Sequence, residues 1–240
     1  MSSKISISDS IEELSEQFVQ LLVNGLNERK EYFHIALSGG STPKSVYNYL
    51  SENYKSRIDW EKIKLFWGDE RCVPPHHSDS NFKMATEYLI SRIDIPSENI
   101  FRIQGEENPK EEAANYSNIL LANIPAHESL PEFDLILLGL GEDGHTASIF
   151  PDSLNLFNTD AICAVAEHPI TLQKRITLTG GVINNARQVV FLVTGENKSI
   201  IVDIILNKKD GFEKLPASFV NPDNGEVNWL LDRSASSLLK

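Results

Sequence analysis

Apolar and polar positions along the chain alternate between two patterns. Short, mostly apolar runs fall at residues 32–38 (YFHIALS), 63–67 (IKLFW), 134–138 (DLILL), 161–166 (AICAVA), 175–179 (RITLT) and 188–194 (QVVFLVT). Such runs predict buried strands, and 188–194 reads as the last long one. Shorter strands are predicted at 100–103 and 227–230. Between them, apolar residues recur at helical spacing, first as Ile11, Leu14, Phe18, Leu21 and Leu22 over 8–29, behind a Ser8/Asp9/Ser10 cap. Further helices are predicted around Val46, Tyr47 and Leu50, from Phe82 to Ile90, over 109–124, over 182–186 and from Ile200 to Ile205. Alternating strands and helices predict an α/β fold with a mostly parallel sheet flanked by helices. No repeat, low-complexity segment or linker interrupts it, so residues 1–240 are expected to form a single domain.

The strand ends carry the unusual residues. After Asp134–Leu138 come Gly139, Gly141 and Gly144, with Glu142, Asp143 and His145 among them. Glycines let backbone approach a ligand closely, and ligands of open α/β sheets bind at the carboxyl ends of strands. There His145 is either a general base or, with Asp143, only a tie for the turn. The strand at 32–38 runs into Gly39-Gly40-Ser41-Thr42-Pro43-Lys44. A glycine pair, a Ser/Thr cap and Pro at the first helical position describe a helix start. It is either aimed at an anion or simply capped. It is neither GxxxxGK[ST] nor GxGxxG. The strand at 63–67 leads to Gly68, Asp69, Glu70 and Arg71, a second cleft wall or else an exposed turn. The next segment stays irregular until Ser80 or Asn81 starts a helix.

The remaining histidines point elsewhere. His34 lies inside a strand and reads as a core residue, and His127 as a solvated one. His76 and His77 are adjacent in a loop with no third ligand at metal spacing, so no metal is expected. No cofactor is expected either.

Charge narrows the partners. The net charge is −12 and the sequence pI about 5.0, which argues against nucleic acid and anionic membranes. An anionic ligand would need isolated local cations. Lys198, after Gly195-Glu196-Asn197, is one at a strand-to-helix junction, although alone it reads as a surface lysine. Cys72 and Cys163 are the two cysteines. Without a secretory h-region or an apolar run near the roughly 20 residues of a membrane span, they read as free thiols of a cytoplasmic protein.

Residues 139–151 as a whole, GLGEDGHTASIFP, resemble the signature of the 6-phosphogluconolactonase family, a neighbour of the glucosamine-6-phosphate deaminases. SGGSTP, WGDER with SNFKMA, RITLT and GENK extend the resemblance, in order, from Ala36 to Lys198. It implies a Rossmann-like domain similar to the glucosamine-6-phosphate deaminase and ribose-5-phosphate isomerase folds. It also implies hydrolysis of 6-phospho-D-glucono-1,5-lactone in the oxidative pentose phosphate pathway, with a small sugar phosphate lactone as partner. By that resemblance Gly39, Gly40, Ser41, Thr42, Arg175 and Lys198 hold the phosphate. His145 serves as base, Asp143 as its orienter, and Arg71 as charge stabiliser or second phosphate contact. Asp69, Glu70, Asn81 and Gly141 complete the cleft. A strained lactone needs no covalent nucleophile, consistent with the missing GxSxG elbow. Two alternatives remain at this point. One is a deaminase, although the segment after His145 lacks the carboxylate of family deaminases. The other is a non-catalytic sugar-phosphate sensor. The oligomeric expectation is a monomer or small homo-oligomer.

Overall fold

The computed structural model describes residues 3–29 and 31–239. In chain order the elements are β1 (Lys4–Ser8), α1 (Ile11–Glu28), β2 (Phe33–Leu37), α2 (Ser41–Asn53), β3 (Ile63–Trp67), β4 (Asp69–Arg71), α3 (Asn81–Tyr88) and α4 (Pro109–Asn123). There follow β5 (Ala126–His127), β6 (Leu130–Pro131), β7 (Leu135–Leu138), β8 (Cys163–Glu167), β9 (Lys174–Leu178), α5 (Gly180–Asn184), β10 (Gln188–Val193), α6 (Ser199–Leu206) and β11 (Glu226–Asp232).

Six strands form one sheet in the order β1-β11-β10-β7-β2-β3, and each neighbouring pair is parallel. Every residue of β2 and β7 is buried. Both alternating faces are therefore covered, which is why these strands read as continuous apolar runs. From β2 the chain moves to β3 on one side, and from β7 to β10 on the other. The carboxyl ends of β2, β7 and β10 thus surround the point where strand order reverses, the place where such folds form a crevice.

A smaller antiparallel sheet, β4-β9-β8, stands at one end of the first. Gly68 alone joins β3 to β4, and it bonds to both sheets. Its amide donates to Leu37 O at 2.9 Å, and its carbonyl accepts from Leu178 N at 2.8 Å. The register sets Asp69 opposite Thr177 and Arg71 opposite Arg175.

Several expectations are corrected. β1 begins at Lys4, ahead of the first predicted element, and is an edge strand whose Ile5 and Ile7 are exposed. The last long buried strand is β11, not 188–194. It extends the predicted 227–230 to seven residues and lies between β10 and β1. Residues 100–103 make a single bridge, Ile100 with Leu65, and no strand. The helix expected to run from Phe82 to Ile90 ends at Tyr88. His127 is half-buried rather than solvated, its Nδ1 3.2 Å from Asn185 Oδ1. His34 is a core residue, bonded to Asp134 and 6% exposed.

Helix starts show the most informative departure. Ser10, Ser80 and Asn108 cap α1, α3 and α4 with side-chain oxygens. For α2 the expected Ser/Thr cap and Pro at the first position are both overturned. Its cap is Gly40 at φ +109°, with no side-chain cap hydrogen bond, and Pro43 is the third helical residue. The positive φ open to glycine turns the chain directly from strand to helix. The first amides of α2 are left without a side-chain cap.

Candidate active site

A cavity of about 230 Å³ opens where the loops after β2, β7 and β10 meet the small sheet. Its walls include Gly39, Gly40, Ser41, Thr42, Asp69, Arg71, Asn81, Gly141, His145, Arg175 and Lys198. Of the residues expected at the site, Asp143 and Glu70 do not line it.

The β2 loop is fixed from below. The buried Tyr47 hydroxyl accepts from Ser38 N at 3.0 Å and donates to Ser38 O at 2.8 Å. Burial pushes that phenol well up, so it remains a hydrogen-bond donor. Above it, the start of α2 directs the positive end of its dipole toward the cavity. Thr42 Oγ1 lies 2.7 Å from Thr194 Oγ1, which joins this loop to the end of β10. Thr194, Ser38 and Ala147 line the cavity and were missed from sequence. Ser38 and Thr194 could have been found, since each is a hydroxyl residue between a buried strand and a glycine.

The β7 loop holds the acid–base pair. Gly141 N donates to His145 O, Gly144 N to Gly141 O, and Thr146 Oγ1 to Gly139 O. This compact turn brings His145 Nδ1 to 2.5 Å from Asp143 Oδ1, which also accepts from His145 N at 3.1 Å. The carboxylate therefore both orients the ring and ties the turn. Burial pushes the Asp143 carboxyl upward, but the hydrogen bond from His145 and its charge outweigh this and bring it down to about 2. An ionised carboxylate only accepts, so Nδ1 carries the proton, and in the neutral imidazole Nε2 keeps a lone pair for a substrate or water. Phe150 supports the ring from beside it, with centroids 4.9 Å apart.

Strand alternation in β4 decides which charges turn inward. Asp69 and Arg71 share one face with Thr177 and Arg175. Glu70 takes the other face, 2% exposed, where it accepts from Arg71 N, Asn81 N, Phe82 N and Ser80 Oγ. Its carboxylate anchors the start of α3 and not a ligand. Glu70→Gln places an amide among those donors and is expected to cost about 1–3 kcal/mol of unfolding free energy. Urea denaturation measures this, and a wild-type midpoint would show that the carboxylate anchors nothing.

Arg71 and Arg175 lie directly across the β4–β9 ladder, and both line the cavity. Like charges opposite one another are unfavourable without an anion between them. The Nε of each is buried with no partner among the described residues. Lys198 completes a cationic arc. No three His, Cys, Asp or Glu side chains converge as metal ligands among the described residues. No helix among them is long and apolar enough to cross a membrane. Both cysteines are free.

An α/β fold whose crevice receives a helix start without a side-chain cap, beside a histidine held by a carboxylate, is the arrangement to compare with known proteins. Residues 6–229 match the family model described as glucosamine-6-phosphate isomerases/6-phosphogluconolactonase, and the chain belongs to that family. Within it, the chain is 38% identical over 231 residues to the 6-phosphogluconolactonase of Haemophilus influenzae, covering 96% of this chain and 95% of that one. The solved 6-phosphogluconolactonase of Trypanosoma brucei superposes with a TM-score of 0.88 at 32% identity, over 100% and 99% of the two chains. A monomeric glucosamine-6-phosphate deaminase shares the fold, with a TM-score of 0.82 over 98% and 99% of the chains, at 21% identity.

Proposed function

We propose that this chain hydrolyses 6-phospho-D-glucono-1,5-lactone to 6-phospho-D-gluconate, as a single cytoplasmic domain acting as a monomer or small homo-oligomer. The observation that supports this most is that His145, its Nδ1 held by Asp143, lines the cavity that also receives the start of α2. A base for water and a seat for a phosphate thus share one small space.

In this reading Gly39–Thr42, Lys198 and Arg175 hold the phosphate and so place the lactone carbonyl near His145. Nε2 takes a proton from water as the oxygen attacks the carbonyl carbon. Asp143 stabilises the imidazolium that forms. Arg71 faces the negative charge developing on the carbonyl oxygen. Collapse of the tetrahedral species breaks the bond to the ring oxygen, which leaves as the C5 hydroxyl after taking the proton back from imidazolium. Water is the only co-reactant. The segment directly after His145, Thr146-Ala147-Ser148-Ile149-Phe150-Pro151, carries no carboxylate, which favours ester hydrolysis over the proton shuttling of deamination.

The test generates the lactone in situ from glucose 6-phosphate and follows 6-phosphogluconate through its dehydrogenase, above the spontaneous background. Acceleration supports the reading. Ammonia release from glucosamine 6-phosphate without lactone hydrolysis would overturn it. Within it, Lys198→Met removes one charge-assisted contact and is expected to raise KM about tenfold, with kcat within about threefold. An unchanged KM would take Lys198 out of the phosphate site.

A further inference from the structure

Ser148 is fully buried behind the cavity, and nothing in the mechanism above uses it. Its surroundings are unusual. On the inward face of the small sheet, one carboxylate, Asp69, faces two guanidinium groups, Arg71 and Arg175. The charge of Asp69 acts on Arg175 across the β4–β9 ladder. A buried acid beside two half-buried guanidinium groups ordinarily forms an ion pair. Among the described residues, Asp69 instead accepts from Ser148 Oγ at 2.5 Å and Asn81 Nδ2 at 3.4 Å.

A hydroxyl has one proton. Ser148 gives it to Asp69, so a lone pair is what it presents to Arg175 Nη1, 3.5 Å away. The residue is held in this place from both sides. Its amide donates to Thr177 Oγ1 at 3.2 Å, and Ala147 before it adopts φ +48°. The guanidinium rests on Phe150, its Cζ 5.7 Å from the ring centroid, with Nε unpartnered. The arginine is thus seated by weak contacts, while its natural counter-ion is occupied by a neutral hydroxyl.

We propose that Ser148 is a positioning residue that engages Asp69 and so keeps the Arg175 guanidinium open to the substrate phosphate. This rests on the reading in which Arg175 grips that phosphate. Without the hydroxyl, the Asp69 carboxylate loses its strongest donor and turns to Arg175. The arginine is then neutralised from within.

The experiment compares 6-phosphogluconolactone with unphosphorylated glucono-1,5-lactone, both corrected for spontaneous hydrolysis. For Ser148→Ala, KM for the phosphorylated lactone is expected to rise about tenfold with kcat within about threefold, while the neutral lactone is unaffected. Adding Asp69→Asn to that variant removes the competing charge and should bring KM back toward wild type. Equal losses on both lactones, with no recovery from Asp69→Asn, would make Ser148 a packing residue and overturn the proposal. If Ser148→Ala does not fold, Ser148→Cys fits the same space with a weak donor and gives the same comparison. Arg175→Met separates the two layers of the argument. Loss of phosphate preference there supports the underlying reading, whereas retained preference removes Arg175 from the phosphate site and overturns both. A wild-type protein inactive on either lactone would overturn the functional reading, and this proposal with it.

Discussion

Replacing His145 by Gln is expected to lower kcat for the phosphorylated lactone by about 10²–10⁴, the usual contribution of a positioned general base. KM should change little, because the imidazole is not among the groups assigned to the phosphate. The geometry supports so large an effect for one side chain. His145 is fixed at Nδ1 by Asp143 and from its own backbone by the turn, which leaves Nε2 as its single free basic atom. Glutamine can keep an N–H toward Asp143 but presents no basic nitrogen to water. The side chain is 27% exposed, so the substitution should leave the fold intact, and circular dichroism checks this. Turnover within threefold of wild type in a folded variant would end the assignment. His34 cannot substitute, although it too pairs with an aspartate. Its Nδ1 lies 3.1 Å from Asp134 Oδ2, but the pair is buried near the amino ends of β2 and β7, opposite to the cavity.

The central sheet was readable in sequence because strands buried on both faces leave unbroken apolar runs. Thus β2, β3, β7 and β10 were found with boundaries within a residue or two, and so were the glycine-containing loops that follow them. Pairing between distant segments left no such trace. β1 and β11 lie more than 200 residues apart in the chain, and Lys-Ile-Ser-Ile-Ser gains its identity as a strand only beside Asn228 to Asp232. The three residues of β4 are too few to show a period. Without that strand, Asp69, Glu70 and Arg71 were merely three charges in a row. The ladder with β9 separates them, with Asp69 and Arg71 turned toward the cavity and Glu70 turned to the amides of α3. Histidine and aspartate two residues apart were visible as a candidate pair. Their bond was not, since it depends on how tightly residues 139–146 fold back on themselves. Ser148 escaped notice because its partners, Asp69 and Arg175, are 79 and 27 residues away.

That tight fold makes Gly141 the most revealing position for a single methyl group. A Cβ there would overlap His145 Nδ1 and Cε1 and lie 2.5 Å from Asp143 Oδ1. Its backbone is outside the positive-φ region, so alanine brings no conformational strain, only this collision. The colliding atoms are side-chain ends and can move, whereas the Gly141 N–His145 O and Gly144 N–Gly141 O bonds of the turn are made by backbone. Gly141→Ala should therefore fold, with Tm close to wild type, but with the imidazole and carboxylate pushed from their shared position. Displacement of a catalytic group by about 1 Å can cost about 10²-fold in rate, and a loss of that order is expected in kcat. Phosphate affinity, read from product inhibition by 6-phosphogluconate, should stay near the wild-type value. This combination tests the arrangement and not only the identity of the base. Glutamine at 145 removes the basic nitrogen, whereas alanine at 141 keeps every functional group and displaces the pair. Full activity in Gly141→Ala would mean that the Asp143–His145 geometry is not what turnover depends on. A large fall in Tm would instead show that the pair is locked too firmly to yield, and that its rigidity is part of the stability of the fold.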